Sequence, residues 1–502
     1  MRSRNAAINI ITVWLGQVLI IVVNMIARKV FLQSLGSEYL GLNSLFTNIV
    51  GLLAVADLGF GSAISFSLYK PLAENNKEAI KAIMKLFKKI YCLIGIIIFL
   101  SGLTLTPWIH KFATGAEEIN NIRLIFMLFV FNTSISYFFS YYSALIIADQ
   151  KKYIFNIFHY IIQFMMFGAQ IVILNKTKNY YLYLICQILA TLIENLSMSI
   201  VAKQSYPYLC EQKVESVSEE EKHNIKKNVK ALVLYKVGTT LVTSTDNILI
   251  SKLTNLAIVG IYGNYSTIVT AVCNVFWQGI TAFTASIGNQ LVSGTKEGYR
   301  EVFSAVQLIG SWLYGWGCIC LLILLTPFIK LWYGDYTLDL AVVVVMCLNS
   351  YLSGQRTVLQ SYINAAGLYH NVRYRAIEEG CVNIIVSIVI GIRFGLIGVL
   401  VGSFVSGVLC GWIPETKVIL NVLMEMKISL YIKMQVRNVC CIVIAGYLTK
   451  AVSDYVSISG ITGFVIKMLL CAIIPNVVIM ILNHRSSAFR TCIHKAKHVL
   501  KR

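Results

Sequence analysis

Long apolar runs, each closed by a short charged or turn-rich stretch, follow one another from residue 7 to residue 482. Runs near twenty residues without strand-like alternation predict membrane-crossing helices, not a barrel. Fourteen spans are expected, near 7–27, 40–68, 90–110, 122–147, 154–174, 180–201, 231–251, 257–288, 303–327, 337–361, 377–392, 395–415, 434–452 and 458–482. The second and eighth exceed what a bilayer needs and are expected to tilt or project. In Asn76–Ile90, Ile80, Ile83, Met84 and Phe87 recur at helical spacing, with Lys77, Lys81, Lys85 and Lys88 on the opposite face. That pattern predicts a helix lying on the inner leaflet, joining spans two and three.

Composition agrees. Of 502 residues, 57% are apolar and 13% charged, with mean hydropathy +0.71. Soluble domains carry about 45–50% apolar and about 25% charged residues, which excludes a soluble enzyme, a disordered chain and a disulfide scaffold. The net charge is +20. The basic residues stand between apolar runs, as in cytoplasmic loops beside anionic lipid, so nucleic acid is not an expected partner. With the N-terminus inside, about 29 basic residues fall on the cytoplasmic side and about 10 outside, which places both termini in the cytoplasm. The segment from Ala7 to Ile26 is too long for a cleaved signal and is expected to remain as the first span. Thirteen cysteines form no CxxC pair and read as small apolar packing residues, so no metal site is expected.

The longest polar stretch, 202–230, separates six spans from eight. At an offset of 219 residues Gly41 aligns with Gly260, Ile49–Val50 with Ile268–Val269, Ala63 with Ala282, and Lys77–Glu78 with Lys296–Glu297. An even number of spans per repeat makes the two halves parallel, with a substrate site between them. The expected organisation is a six-helix lobe over 1–201, a cytoplasmic linker over 202–230 and a second six-helix lobe over 231–420. Two additional helices follow over 421–483, packing outside the lobes, then a basic tail over 484–502.

Several segments resemble a known family. ADLGFGSAISFSLYKPLAENNKE (56–78) resembles the second-helix signature of bacterial polysaccharide flippases. ARKVFLQSLGSEYLGLNSLF (27–46), TDNILISKL (245–253), and Gly367–Gly402 with Asn383 and GLIGVLVGS are similar in kind. Their order and spacing resemble the O-antigen and capsule flippase branch of the multidrug, oligosaccharidyl-lipid and polysaccharide exporter superfamily. The resemblance implies a transporter of the bacterial cytoplasmic membrane that moves undecaprenyl-pyrophosphate-linked glycans outward. It also implies glycosyltransferases and a glycan polymerase as partners. Fourteen spans match the lipid II flippase of that superfamily and exceed the twelve of its drug–cation antiporters.

Charges inside spans are costly and mark candidate sites. The cargo's diphosphate needs cations in lipid, and arginine binds phosphate oxygens bidentately. Arg28, Arg123, Lys236 and Arg356 are the pyrophosphate candidates. Arg28 and Arg123 also suit interface anchors that snorkel to headgroups. Asp57, Glu194, Asp246, Glu378 and Glu379 are candidates for ion coupling or for salt bridges to those cations. Both Na⁺ and H⁺ stay open as coupling ions, and no cofactor is expected. Gly398, Gly402 and Ser406 stand at small-xxx-small spacing, which predicts close helix packing. No catalytic, ATP-binding or zinc motif occurs, so the chain does not read as an enzyme. An ion-coupled cation exporter is the alternative function, ahead of a polytopic glycan polymerase or ligase.

Overall fold

A computed structural model describes residues 2–54, 60–115, 119–211, 237–238, 240, 244–293, 295–456, 458 and 460–500. They are overwhelmingly helical, with no strand among the described residues. Two compact units divide the chain, Met1–Gly260 and Ile261–Arg502.

The first unit contains α1 (Arg2–Leu53), α2 (Phe60–Ala73), α3 (Lys77–Leu105), α4 (Ile122–Tyr137), α5 (Tyr141–Ala148), α6 (Lys152–Thr177) and α7 (Tyr180–Ser205). Helix α8 (Leu256–Thr281) begins in it and continues into the second unit. There follow α9 (Thr284–Ser293), α10 (Lys296–Tyr333), α11 (Leu340–Ala366), α12 (Arg375–Ser406), α13 (Ile413–Ile419), α14 (Ile428–Asp454), α15 (Gly460–Asn483) and α16 (Ser487–Leu500). The repeat-related residues Lys77 and Lys296 each open a helix, capped by the side chains of Asn76 and Thr295.

Nine described helical stretches are long and apolar enough to span a bilayer, or ten when the α4–α5 pair, bent by 47°, is one span. The difference from fourteen has local causes, and α11, in the place of span ten, is not among these stretches. Spans one and two share α1, whose halves meet at Gly36 (φ 89°, ψ 176°), a backbone that only glycine adopts without strain. Spans eleven and twelve share one stretch, His370–Met424, broken at Gly395 (φ 57°, ψ −130°). Ten of the 21 residues of span seven lie outside the described residues. Glycine breaks are joined by three intrahelical prolines, Pro71, Pro327 and Pro475.

The expected leaflet helix is corrected. Ile80, Ile83, Met84 and Phe87 begin a single helix, α3, that continues into the span. Their apolar face is buried against Leu68, Leu145 and Met198 from α2, α5 and α7. Lys81, expected among the solvated lysines, is buried and pairs with Glu78 (2.7 Å) and Glu211 (2.8 Å).

Apolar burial gives little drive between helices already in lipid, so close backbone approach and hydrogen bonds must hold them. Both occur here. A Cβ on Gly402 would overlap Ser387, and one on Gly398 would overlap the backbone at Ile390, so the small-residue stripe packs the two halves of α12 together. The helices α14 and α15 are joined to α10 by buried polar groups. Asn438 donates to Ser311 (3.2 Å), which also receives Gln355 Nε2 of α11 (3.1 Å), and Gln435 donates to Gln307 (3.2 Å). Pro475 has no N–H for the Cys471 carbonyl one turn earlier. Trp316 Nε1 supplies that bond from α10, at 2.9 Å. The two helices are thus built into the second unit.

Candidate functional site

The densest buried chemistry lies where α11, α12 and α13 meet. Helix α11 ends on Gly367 in left-handed conformation, and a short 3-10 turn, Leu368–Val372, leads the chain back into α12. This reversal sets Glu379, one turn into α12, beside Arg356 in α11. The Arg356 guanidinium donates both terminal nitrogens to Glu379, at 2.6 and 2.8 Å. Its Nε lies 3.4 Å from Glu415 Oε2. Arg375 pairs with the other oxygen of Glu415, and Gln360 donates to that same oxygen at 3.2 Å. Glu415 is wholly buried, and Glu379 and Arg375 are nearly so.

Two arginines and two glutamates make the cluster neutral, which offsets the desolvation that isolated charges would suffer. Glycine makes the room. The stretch Gly407–Trp412 is π-helical, as is Leu420–Met424 on the other side of α13. A Cβ on Gly411 would overlap the Arg356 guanidinium, so the planar group lies directly against that backbone. Wide turns of this kind recur at functional positions. Arg300 of α10 closes the stretch by donating to the carbonyls of Met424 (2.7 Å) and Glu425 (2.9 Å).

The structure distributes the other candidates widely. Arg28 is half-buried in α1. Arg123 is exposed at the start of α4. Glu194 of α7 pairs with His159 of α6 at 3.1 Å, and Phe155 stacks on that imidazole. Asp246 is half-buried in a helical stretch, 244–253. Glu378 is exposed, beside the buried Glu379. Asp57 and Lys236 lie outside the described residues. Among the described residues no group of His, Cys, Asp and Glu is suited to hold a metal.

The sequence reading missed Glu415, His159 and the role of Arg375. His159 had a legible signal, a titratable group inside an apolar run. Glu415 stood at the end of a predicted span, and Arg375 counted only as loop charge.

The repeat-aligned glycines also meet. A Cβ on Gly41 would overlap the Leu256 carbonyl, and one on Gly260 would overlap that of Ser37 and reach 2.9 Å from the Gly41 nitrogen. Ser251 donates to the Phe112 carbonyl at 2.7 Å, and the Leu256 N–H to that of Thr114 at 3.1 Å. The start of α8 is thereby held within the first unit.

No family model and no curated protein matches the chain. Solved structures do. The lipid II flippase MurJ in an inward closed conformation superposes with a TM-score of 0.69 at 15% identity, covering 95% of this chain and 98% of its own. An inward-facing multidrug resistance MATE family transporter of the MOP superfamily gives 0.59 at 13%, covering 79% and 94%. The MATE multidrug transporter DinF-BH gives 0.59 at 15%, covering 84% and 96%. All three are transporters and none is an enzyme. The chain is a multi-pass membrane protein with the fold of the MOP-superfamily transporters.

Proposed function

We propose that the protein is a flippase of the bacterial cytoplasmic membrane, moving undecaprenyl-pyrophosphate-linked oligosaccharide outward for surface polysaccharide assembly. It works by alternating access between two lobes, with both termini in the cytoplasm. Glycosyltransferases supply the cargo and a glycan polymerase receives it. One observation carries this reading over the alternative. The flippase fold accounts for 95% of this chain, whereas the two MATE folds, themselves almost fully covered, leave about a fifth to a sixth of it unmatched.

The cargo's diphosphate requires cations along its path. Arg28, Arg123, Lys236 and Arg356 remain the proposed contacts. Arg356 is held by carboxylates in this structure, so its role requires the diphosphate to take the place of Glu379 on its fork. The buried acids Glu379 and Glu415 favour a second reading, a cation exporter driven by a Na⁺ or H⁺ gradient.

Reconstitution separates the two. Proteoliposomes loaded on one leaflet with an undecaprenyl-pyrophosphate-linked glycan should expose it on the other, scored by a glycosidase or lectin that cannot cross. A cationic dye should not be moved. Dye transport under an imposed ion gradient, with no exposure of glycan, would replace the flippase reading by the exporter.

A further inference from the structure

The stretch 427–502 contains eleven Lys and Arg residues and a single acid, Asp454. The lone acid stands at the C-terminal end of α14, where Lys450 binds it at 3.1 Å. At the opposite end Glu425 stands just before the helix, and among the described residues no carboxylate forms an ion pair with Lys433 or Arg437.

Hydrogen bonds fix which ends lie together. Asn438 of α14 donates to Ser311, and Asn476 of α15 accepts from the adjacent Trp312 at 2.7 Å. These two asparagines therefore share one depth along α10. At about 1.5 Å per residue, α14 begins about 15 Å and α15 ends about 10 Å from that level, toward the same face. The chain then turns at Ser486, whose Oγ accepts from the Phe489 N–H at 3.2 Å and caps α16. Phe489 stacks on Trp312 (6.2 Å between ring centres), and Cys492 Sγ approaches the Ala305 carbonyl at 3.6 Å. Helix α16 is thereby laid back over α10 at the same end.

Four cations line that end, Lys433 and Arg437 one turn apart on α14, Arg485 after α15 and Arg490 in α16. None has an ion-pair partner among the described residues. Val436 and Val439 beside the first pair are exposed, as a lipid-facing surface requires, and Ile493 is exposed one turn from Arg490. Long basic side chains on such a surface extend their charge toward the headgroup layer. A phosphate-bearing headgroup is the charge complement at this depth.

We propose that Lys433, Arg437, Arg485 and Arg490 form a docking surface for the headgroups of anionic phospholipids in the adjoining leaflet. This surface is independent of what the protein carries. It anchors α14 and α16 to the bilayer, and its affinity falls as salt rises.

The test uses the full chain in detergent with added phosphatidylglycerol or phosphatidylcholine, with retained lipid counted by native mass spectrometry. The wild-type protein should retain phosphatidylglycerol preferentially. Each neutralised cation should weaken retention by roughly fivefold. Lys433→Gln with Arg437→Gln, and Arg485→Gln with Arg490→Gln, should act in this way, while Lys433→Arg with Arg437→Lys should keep the preference. Lys450→Gln, at the other end of α14, should leave it unchanged. Equal retention of both lipids by the wild type would overturn the proposal. So would a loss with Lys450→Gln as large as with either pair, since net charge alone would then explain it. Unfolding temperature without added lipid is followed in parallel, and the conservative exchange supplies a folded comparison should a Gln pair fail to accumulate.

Discussion

Breaking the charge cluster of α11, α12 and α13 should destabilise the second unit in a defined order. Glu415 is wholly buried and serves both arginines, so Glu415→Gln leaves Arg375 without its carboxylate and Arg356 with one partner instead of two. Arg356→Met leaves Glu379 without its bidentate partner, while Glu415 keeps Arg375. Removing one member of a buried pair costs about 3–5 kcal/mol, or about two to three and a half orders of magnitude in a folding equilibrium. Arg356 keeps 15% of its side chain exposed, which puts its removal in the lower half of that range. Replacing Arg356 and Glu379 together by Met should cost far less than the sum of the two single changes, because no charge is then stranded. Resistance to detergent-induced unfolding, followed by near-ultraviolet circular dichroism, provides the free energies for a double-mutant cycle. Additive losses, or single variants as stable as the wild type, would refute the assigned pairing. Flipping assayed on the stable double variant then isolates function. Loss of transport without loss of stability would support Arg356 as a cargo contact, and retained transport would remove it from the proposed path.

Other expectations test separate parts of the structure. Gly411→Ala should displace the Arg356 guanidinium and destabilise by about 1–3 kcal/mol through overpacking, read from the same unfolding curves. Trp316→Phe should cost about 0.6–1 kcal/mol by leaving the Cys471 carbonyl with only the weak Cys320 thiol, at 3.7 Å, as a cross-helix donor. Gly41→Ala and Gly260→Ala should each force the start of α8 away from α1, and the distance between spin labels placed on the two helices should report the wider separation. The Tyr206 hydroxyl donates to Asp149 at 2.6 Å, and burial and this bond raise its ionisation above the usual tyrosine range. Its contribution should be intact below about pH 10 and lost as pH rises through the raised value, so Tyr206→Phe should flatten the alkaline limb of a stability–pH curve.

Much of the architecture follows from local pattern. Runs of apolar residues must form helices in lipid, since each backbone group needs an internal partner. For that reason the helices in 90–110, 154–174, 180–201, 303–327, 434–452 and 458–482 are legible without any tertiary information. The helix starts at Lys77 and Lys296, which the repeat aligns, are legible too, because capping by Asn76 and Thr295 is a matter of a few adjacent residues.

Polarity along the chain could not show which way a polar side chain turns, and there tertiary structure decided. The face of Ile80, Ile83, Met84 and Phe87 would suit a leaflet or a protein core equally by periodicity. It is in a core because α2, α5 and α7 cover it. Arg356 has the chemistry of a phosphate ligand, yet its fork is met by Glu379, 23 residues on, and its Nε by Glu415, 59 residues on. The chain reversal at Gly367 and the space left by Gly411 bring those carboxylates within reach. Helix formation depends on neighbours in sequence, and the amino-acid order alone determined it. Charge pairing in a low-dielectric interior depends on distances of a few ångströms between remote residues, and only the packed structure sets those.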